Sequence, residues 1–396
     1  MKAATTCLAA LLVAAGPACG AKAADRSDWS VPPAKLELGD GWTARLGGAA
    51  NLTIYTADQG GAGDRSGGTV SALVFPRLEK LFANGWRLGV RSTLNVYHDE
   101  LSGDNYGNDF FQKAYLFLET PYGRFELGQQ DGAAFKMSVT GPAVAEDVAL
   151  DDADIVFFRD PVTGDALTEI FKVRSAVFAT TNAAKISYYS PRLFGIRIGM
   201  SFTPHMAKDV LPYVSSGPHV PDRQENLFEG AINYTGFFGR TSVGAYAGFA
   251  AGHDAHRTAG HDDLFDWGLG AEVDEDLGGP VLAFGGAYRE SNGYTLEPGA
   301  AFRTGTTRAV HLSTKLTLGA WQFGLEYLNG VADAEALMPK LDIAGYEVGI
   351  AYAINSNLRL TGGWQHQRFT RSTGTFYTGG RALDLDAAFL YLRVHV

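Results

Sequence analysis

Apolar and polar residues alternate along most of this chain with a period of two. In the stretch WRLGVRSTLNVY, apolar residues form one face and polar residues the other. The apolar residues are Trp86, Leu88, Val90, Leu94 and Val96, and the polar ones are Arg87, Arg91, Thr93, Asn95 and Tyr97. Period two predicts a β-strand, because an amphipathic helix repeats every three to four residues.

The same alternation returns in many further segments. They include WTARLGGAANLTIY, GIRIGMSF, FDWGLGAEV, VHLSTKL, WQFGLEY, YEVGIAY, LRLTGGW and residues 383–396. The pattern predicts an all-β protein with about sixteen strands of roughly ten residues, the length of a tilted strand that crosses a membrane. The facing of one strand is left open, because Gln112 and Lys113 compete for its polar side.

The connections between these segments are short and long in turn. Short turns follow Tyr188, Tyr234, Val273, Leu318 and Tyr352. Long polar loops lie at residues 57–68, 99–108, 205–224, 251–263, 291–306, 331–340 and 370–381. Short turns at one end and long loops at the other predict a transmembrane, antiparallel, up-and-down β-barrel of the outer-membrane type.

The polar face of the strands distinguishes this barrel from a soluble sandwich. That face carries many charges, among them Arg45, Arg87, Arg91, Lys185, Arg197, Glu229, Glu272, Lys315, Glu326, Glu347 and Arg359. In the dry core of a sandwich each would cost several kcal/mol. A closed barrel places them around a water-filled lumen and turns the apolar face, with its aromatic girdles, to lipid. A secreted β-rich binding protein is the alternative.

Composition excludes several classes of protein. Charged residues make up 19% of the chain, aromatic residues 12%, and glycine 49 of 396 residues, which excludes a disordered chain. The mean hydropathy is -0.06, and outside the N-terminus no apolar run approaches the roughly 18 residues of a membrane-spanning helix. The formal net charge of -10 argues against nucleic acid as a partner, because nucleic-acid-binding proteins concentrate Lys and Arg.

Residues 1–23 are typical of a secretory signal peptide. Lys2 precedes an apolar stretch, and the segment ends in the small-residue sequence Ala-Lys-Ala. Cleavage after Ala23 would leave 373 residues (396 minus 23) with a net charge of -12, since two lysines are removed. Cys7 and Cys19 would leave as well, so the mature chain would have no thiol for a disulfide, a metal site or catalysis. A lipid anchor at Cys19 is an alternative.

Three stretches carry a resemblance to a known family. They are QKAYLFLETPYGRFELGQQ (Gln112 to Gln130), NAAKISYYSPRLFGIRIGMSF (Asn182 to Phe202) and the block from Gly230 through Gly248. Together with the strand rhythm they resemble the general (diffusion) porins of Gram-negative bacteria, in the proteobacterial branch. The resemblance implies that residues 24–396 form a sixteen-stranded barrel in the outer-membrane lipid bilayer, as a homotrimer, with a third loop folded into the lumen. Family members commonly end in Phe or Trp, whereas this chain ends in Val396, which bears on its assembly.

The connection at residues 131–172 is the longest in the chain and is expected to be that third loop. It contains the carboxylates Glu146, Asp147, Asp151, Asp152 and Asp154. They either belong to a solvated acidic loop or line a pore constriction opposite a basic side formed by Arg45, Arg87, Arg91 and Arg124. Lys185 and Arg197 are expected to face the lumen too. Opposed charges at a narrow point orient polar solutes and disfavour apolar ones.

The sequence thus predicts a channel for passive diffusion of small hydrophilic solutes and ions, with no enzymatic activity and no cofactor. A solute-specific channel, for example for sugars, is the alternative, and Tyr55, Tyr97 and Tyr246 are its candidate aromatic contacts. Motifs for nucleophilic, nucleotide-dependent or zinc-dependent catalysis are missing. A loop carries His253, His256 and His261, which are potential metal ligands, but exposed loop histidines are the simpler interpretation. The ion preference is left open.

Overall fold

The computed structural model describes residues 34–60, 65–98, 111–145, 148–151, 157–158, 174–180, 183–205, 224–254, 263–292, 304–334 and 340–396. Within these ranges no helix has the length and apolar character needed to span a membrane. The one described helix, α1, has four residues, Ala133–Lys136.

Seventeen strands make up the described fold. In chain order they are β1 Ala34–Gly39, β2 Trp42–Asp58, β3 Arg65–Leu81, β4 Arg87–His98, β5 Phe111–Thr120, β6 Gly123–Gln129, β7 Ala184–Tyr189, β8 Ile196–His205, β9 Gln224–Phe238, β10 Thr241–Asp254, β11 Leu264–Asp276, β12 Val281–Ser291, β13 Thr304–Leu318, β14 Trp321–Ala334, β15 Leu341–Asn355, β16 Leu358–Arg371 and β17 Ala382–His395.

Strands β2 to β17 close into an antiparallel barrel of sixteen strands. Each strand pairs with the next one in sequence, and the barrel closes where β17 pairs with β2, from Asp386 opposite Asp58 to His395 opposite Ala49. The terminal residue Val396 extends this seam, because it exchanges two backbone hydrogen bonds of 2.8 and 2.9 Å with Gly48. The predicted barrel and its strand number are therefore confirmed.

Strand β1 is an addition that the alternation pattern did not predict. It pairs with the first residues of β2, from Ala34 opposite Leu46 to Gly39 opposite Trp42. Those residues of β2 lie beyond the point where β17 ends. β1 thus covers the backbone edge of β2 that the last strand is too short to reach.

Of the turns at one end, the one after Leu318 has the predicted length, whereas those after Tyr234 and Tyr352 are tighter than predicted because their strands continue further. β9 and β10 are joined by residues 239–240, β13 and β14 by residues 319–320, and β15 and β16 by residues 356–357. Gly239 and Gly319 have positive φ values of 66° and 59°, which suit glycine in a tight hairpin.

The apolar face of the barrel carries a continuous exposed band. On β15 its members are Tyr346, Val348, Ile350, Tyr352 and Ile354. Eight residue steps span roughly 26 Å along a strand, and a tilt of about 40° reduces this to roughly 20 Å, close to the height of the lipid-facing band of outer-membrane barrels. The five tryptophans of the barrel lie on this face, at Trp42, Trp86, Trp267, Trp321 and Trp364.

The opposite face, expected to be polar, carries a large apolar cluster on β15, β16, β17 and β2. Its members from these strands are Tyr55, Ala57, Leu341, Ile343, Phe369, Leu383, Leu385, Ala387, Phe389 and Tyr391. Phe157 and Phe158 of the β6–β7 connection and Phe376 of the β16–β17 connection also belong to it, together with Ala145, Val148, Ala309 and Ala332. Part of this face is therefore a packed core rather than a surface in contact with water.

Candidate functional site

Three arginines lie side by side on the polar face of neighbouring strands. Arg45 of β2 is directly opposite Arg77 of β3, and Arg77 is directly opposite Arg91 of β4. Neighbouring strands are about 4.8 Å apart, so the three side chains start within about 10 Å of one another. With Arg87 of β4 and Arg124 of β6 they form what we call the arginine wall.

Glu79 of β3 neutralises part of this charge from behind. Its carboxylate accepts an ion pair of 3.2 Å from Arg45 and one of 2.5 Å from Arg77, and Arg87 lies 3.9 Å away. The Glu79 side chain is only 6% exposed, whereas those of Arg45 and Arg87 are 35% and 39% exposed. Three guanidinium groups therefore share one carboxylate and lie between it and the lumen side.

Two further carboxylates continue the network along β5 and β6. Glu119 pairs with Arg87 at 2.9 Å and also with Arg124. Glu126 pairs with Arg124 at 2.6 Å and with Lys136 of α1 at 2.7 Å. The guanidinium groups of Arg77 and Arg124 both lie over the buried ring of Phe117, 4.8 and 4.5 Å from its centre, an arrangement that holds both cations in place.

The β6–β7 connection begins with polar contacts to the barrel. Asp131 accepts a hydrogen bond of 2.5 Å from Lys113 of β5, so Lys113 occupies the polar face. Burial raises the pKa of the Asp131 carboxyl, but the ammonium groups of Lys113, Lys136 and Lys185 together lower it by more, and the pKa lies below its usual range. In α1 the backbone N–H of Ala134 donates to Glu229 of β9 at 3.1 Å.

Farther along, this connection contacts the polar face of strand after strand. The Thr140 carbonyl lies 2.8 Å from Nδ1 of His311 on β13, and the Val148 carbonyl accepts a hydrogen bond of 2.5 Å from Gln365 on β16. Phe157 then packs between β2 and β17, with its ring centre 5.1 Å from that of Tyr55 and 5.4 Å from that of Phe389. The described residues therefore run from β6 almost around the barrel.

The return path of the connection ends near its start. Thr180 donates a hydrogen bond of 2.6 Å to Glu229, the residue that already holds Ala134. Lys185 of β7 is buried and donates to the backbone carbonyls of Gln130 and Thr180. Glu229 and Lys185 thus hold the two ends of the connection together.

Glycines on the barrel allow the backbone of the connection to approach closely. A Cβ atom on Gly270 of β11 would lie 1.9 Å from the Val139 carbonyl oxygen, and one on Gly285 of β12 would lie 3.0 Å from the Cα of Gly141. Gly141 itself has a φ of 97°, a conformation that other residues rarely adopt. These contacts fix the connection against β11 and β12.

Of the five acidic residues predicted for this connection, the structure describes Asp151. It accepts a hydrogen bond from Ser175, and its neighbour Leu150 donates its N–H to Glu326 of β14 at 3.4 Å. Strands β13 and β14 are eight strands from β5 and β6 in either direction around the barrel. Glu146, Asp147, Asp152 and Asp154 lie outside the described residues.

The predicted basic residues do not all occupy equivalent positions. Arg45, Arg87, Arg91 and Arg124 belong to the arginine wall. Arg197 of β8 lies near the short turns instead, where it donates to the Ser190 carbonyl at 3.2 Å. Sequence reasoning missed Arg77 and its partner Glu79, although the two are spaced by two residues, as two side chains on the same face of a strand must be.

The loop histidines form no described metal site. His253 lies 3.1 Å from Asp263 through Nδ1, whereas His256 and His261 lie outside the described residues. Among the residues that the structure describes, no group of three or more His, Cys, Asp or Glu side chains is arranged to hold a metal ion.

Comparison with known proteins identifies this architecture. The family model described as Gram-negative porin matches residues 4–375, which is nearly the whole chain. The chain belongs to the Gram-negative porin family. The search of curated proteins returned no match.

Solved porin structures share the fold at low sequence identity. OmpF of Salmonella typhi, in complex with daunomycin, has a TM-score of 0.59 and 12% identity, and the alignment covers 91% of this chain and 100% of that one. An anion-selective porin from Comamonas acidovorans has a TM-score of 0.55 and 12% identity, and the alignment covers 90% of this chain and 100% of that one. In-vitro folded OmpT of Vibrio cholerae, in a trimer form, has a TM-score of 0.54 and 13% identity, and the alignment covers 90% of this chain and 100% of that one. As a member of the Gram-negative porin family, the protein is an outer-membrane diffusion channel.

Proposed function

We propose that small hydrophilic solutes and ions cross this porin by passive diffusion through a gap between the arginine wall and the β6–β7 connection. One observation carries the proposal. The described residues of the connection contact the polar face of β9, β13, β16 and β17, and also that of β2. A single segment reaches the same face on opposite sides of a closed barrel only from inside it.

The connection therefore narrows the lumen in this proposal. It covers the polar face over β9 to β16, where Glu229, His311, Glu326, Glu347 and Gln365 are all buried. The side chains of the arginine wall are covered less, since Arg45 and Arg87 retain more than a third of their exposure. The space that remains for water and solutes is therefore the part of the lumen in front of the arginine wall.

Charge separation across this gap would orient polar solutes. The arginine wall occupies β2 to β6, whereas Asp151 of the connection follows Leu150, which binds β14, the strand opposite β6 in the barrel. A solute with a dipole aligns in such a field, and an apolar solute must displace oriented water without replacing its interactions. No chemical transformation of the solute is involved.

Of the three candidate aromatic contacts of a sugar-specific channel, only Tyr97 is exposed, at 54%, and one ring does not make a row along which a sugar could stack. Tyr55 and Tyr246 are each only 5% exposed. Tyr55 packs on Phe157, and Tyr246 packs with Met137 and Tyr189. Both rings therefore support the connection and offer little surface for a sugar to stack on.

Export and assembly belong to the same proposal. Residues 1–23 serve as a signal peptide, and residues 24–396 form the barrel domain with residues 131–172 as its constriction loop. The assembled channel is a homotrimer. The trimer form named for the Vibrio cholerae structure supports this expectation for a chain of the same fold.

Single-channel recording in a planar bilayer tests the proposal. Mature protein extracted in detergent is expected to conduct in steps grouped in threes, as three equal pores would. A variant with Asp151, Asp152 and Asp154 changed to Asn tests the charge of the connection and should shift the ion preference toward anions. A protein that inserts but never conducts, or that conducts in single independent steps, would contradict the channel or the trimer respectively.

A further inference from the structure

We propose that this channel prefers anions, and that the arginine wall is a recognition site for small solutes with carboxylate or phosphate groups. The inference rests on the proposed diffusion path, because only a solute that passes in front of the arginine wall meets its charges. It names the substrate class of that path.

The first argument is the local charge. On β2 to β6 and the start of the connection, the described basic residues of the polar face are Arg45, Arg77, Arg87, Arg91, Lys113, Arg124 and Lys136. The described acidic residues there are Glu79, Glu119, Glu126 and Asp131. Seven positive and four negative charges leave +3, opposite in sign to the whole chain, whose formal net charge is -10.

The second argument is which charges meet the solute. Glu79 and Glu126 are buried behind the guanidinium groups that they bind. Glu119 is the most exposed carboxylate of this network, at 30%, and it pairs with Arg87 and Arg124. Arg45 and Arg87 are more exposed, at 35% and 39%, so a solute in the gap meets more positive than negative groups. Since the nearer charge dominates the Coulomb energy, the potential along this surface is positive.

Two acidic residues elsewhere on the polar face, Glu229 and Asp266, are withdrawn from the path. Glu229 is buried and accepts hydrogen bonds from Ala134 and Thr180. Asp266 is fully buried and holds Arg289 through two hydrogen bonds of 2.8 and 2.7 Å. Their charges are compensated where they lie, and they add little to what a solute encounters.

The third argument is geometric. Arg45, Arg77 and Arg91 start from adjacent register positions on three neighbouring strands. Each planar guanidinium group presents paired N–H donors, which match the two oxygens of a carboxylate or phosphate group. In a row of such groups, an anion that crosses the channel can leave one arginine and bind the next. Each contact must be weak enough for the anion to be released.

Reversal potentials in a potassium chloride gradient test the charge. Wild-type porin is expected to favour chloride over potassium. The double variant Arg45→Gln/Arg91→Gln should lower the chloride-to-potassium permeability ratio by about threefold or more, because two exposed charges leave the path. The matched control is Lys80→Gln/Arg308→Gln, which removes two positive charges from the apolar face, where Lys80 lies over the Trp42 ring and Arg308 pairs with Glu290.

A second variant separates charge from shape. Arg45→Lys/Arg91→Lys keeps both charges but loses the paired donors. It should retain the preference for chloride, whereas inorganic phosphate at millimolar concentration should inhibit its chloride current less than it inhibits that of the wild type. Equal inhibition in both would overturn the recognition of carboxylate and phosphate groups.

The outcomes distinguish this inference from the proposed function. A channel that conducts but favours potassium, or favours neither ion, overturns the anion preference and leaves the diffusion channel intact. An equal change in the glutamine variant and its control overturns the assignment to the arginine wall. A protein that inserts without conducting overturns the proposed function itself.

Discussion

Glu79 stabilises the arginine wall more than any single arginine does, because it contacts three of them. The variant Glu79→Gln leaves Arg45, Arg77 and Arg87 close together with little compensation. We expect a loss of about 1–3 kcal/mol in the free energy of unfolding, since the carboxylate is buried but the arginines keep contact with water. Thermal denaturation of the detergent-solubilised protein, followed by circular dichroism, measures it.

Glu290→Gln is the matched control for that variant. Glu290 pairs with the exposed Arg308 at 3.2 Å on the other face of the barrel, and exposed pairs contribute roughly 0–1 kcal/mol. If the two variants lowered the melting temperature equally, Glu79 would not have the supporting role that its contacts indicate.

At this scale the sequence predicted the basic residues better than their partners. Arg45, Arg87 and Arg91 stood out because they lie on the polar face of strands with clear alternation. Arg77 and Glu79 lie on β3, where Pro76 and a register shift between Ala72 and Leu73 obscure the period of two. Side-chain pairing across strands depends on register, and one sequence does not state register.

Among the elements, the β6–β7 connection depends on glycines of the barrel. Gly270→Ala would place a Cβ atom 1.9 Å from the Val139 carbonyl oxygen, so the connection must move away from β11. We expect a loss of about 1–3 kcal/mol in stability, as for other overpacked sites, and a changed single-channel conductance. Planar-bilayer recording measures the conductance.

Gly362→Ala is the control for this change. Gly362 lies within β16, and the nearest atoms to its added Cβ would be 3.8 Å away, an ordinary contact. An unaltered conductance in Gly270→Ala, equal to that of Gly362→Ala, would show that the connection does not narrow the path.

The far part of the connection is held by aromatic packing. Phe157 is buried, stacks on Phe389 and tilts against Tyr55. Phe157→Ala should cost about 3–5 kcal/mol, the range for buried phenylalanine, and should make the connection more sensitive to protease. Limited proteolysis followed by mass spectrometry checks the prediction.

Phe194→Ala is the control, at a side chain that is 99% exposed, and it should leave the cleavage pattern unaltered. If Phe157→Ala led to cleavage elsewhere than in the connection, that result would contradict the role of Phe157.

The contrast between strands and connection has a physical origin. Strands of the barrel repeat one pattern, with apolar residues toward lipid, so their number and facing follow from the sequence. The apolar cluster formed with Phe157 and Phe158, by contrast, could not be predicted from the sequence. An apolar residue on the inner side of a barrel strand looks the same in sequence as one in any other core, and which segment covers it depends on tertiary contacts.

At the scale of the whole molecule, closure requires β17 but not β1. The sixteen strands β2 to β17 already form a complete ring, whereas β1 pairs with a single neighbour at the rim. Deleting residues 34–39 should therefore leave a folded barrel of unaltered conductance. The stability should fall only slightly, because the edge of β2 beyond β17 loses its partner.

A deletion of the last six residues, 391–396, has the same length as the deletion of β1 and serves as its comparison. It takes away the pairs from Tyr391 opposite Thr53 to His395 opposite Ala49, together with the Val396 bonds to Gly48. Unpaired backbone groups would then face lipid, where each costs several kcal/mol. We expect this variant to fail to assemble, as judged by heat-modifiable mobility in gel electrophoresis. If the deletion of β1 prevented assembly just as completely, β1 would be part of the closure rather than an addition to it.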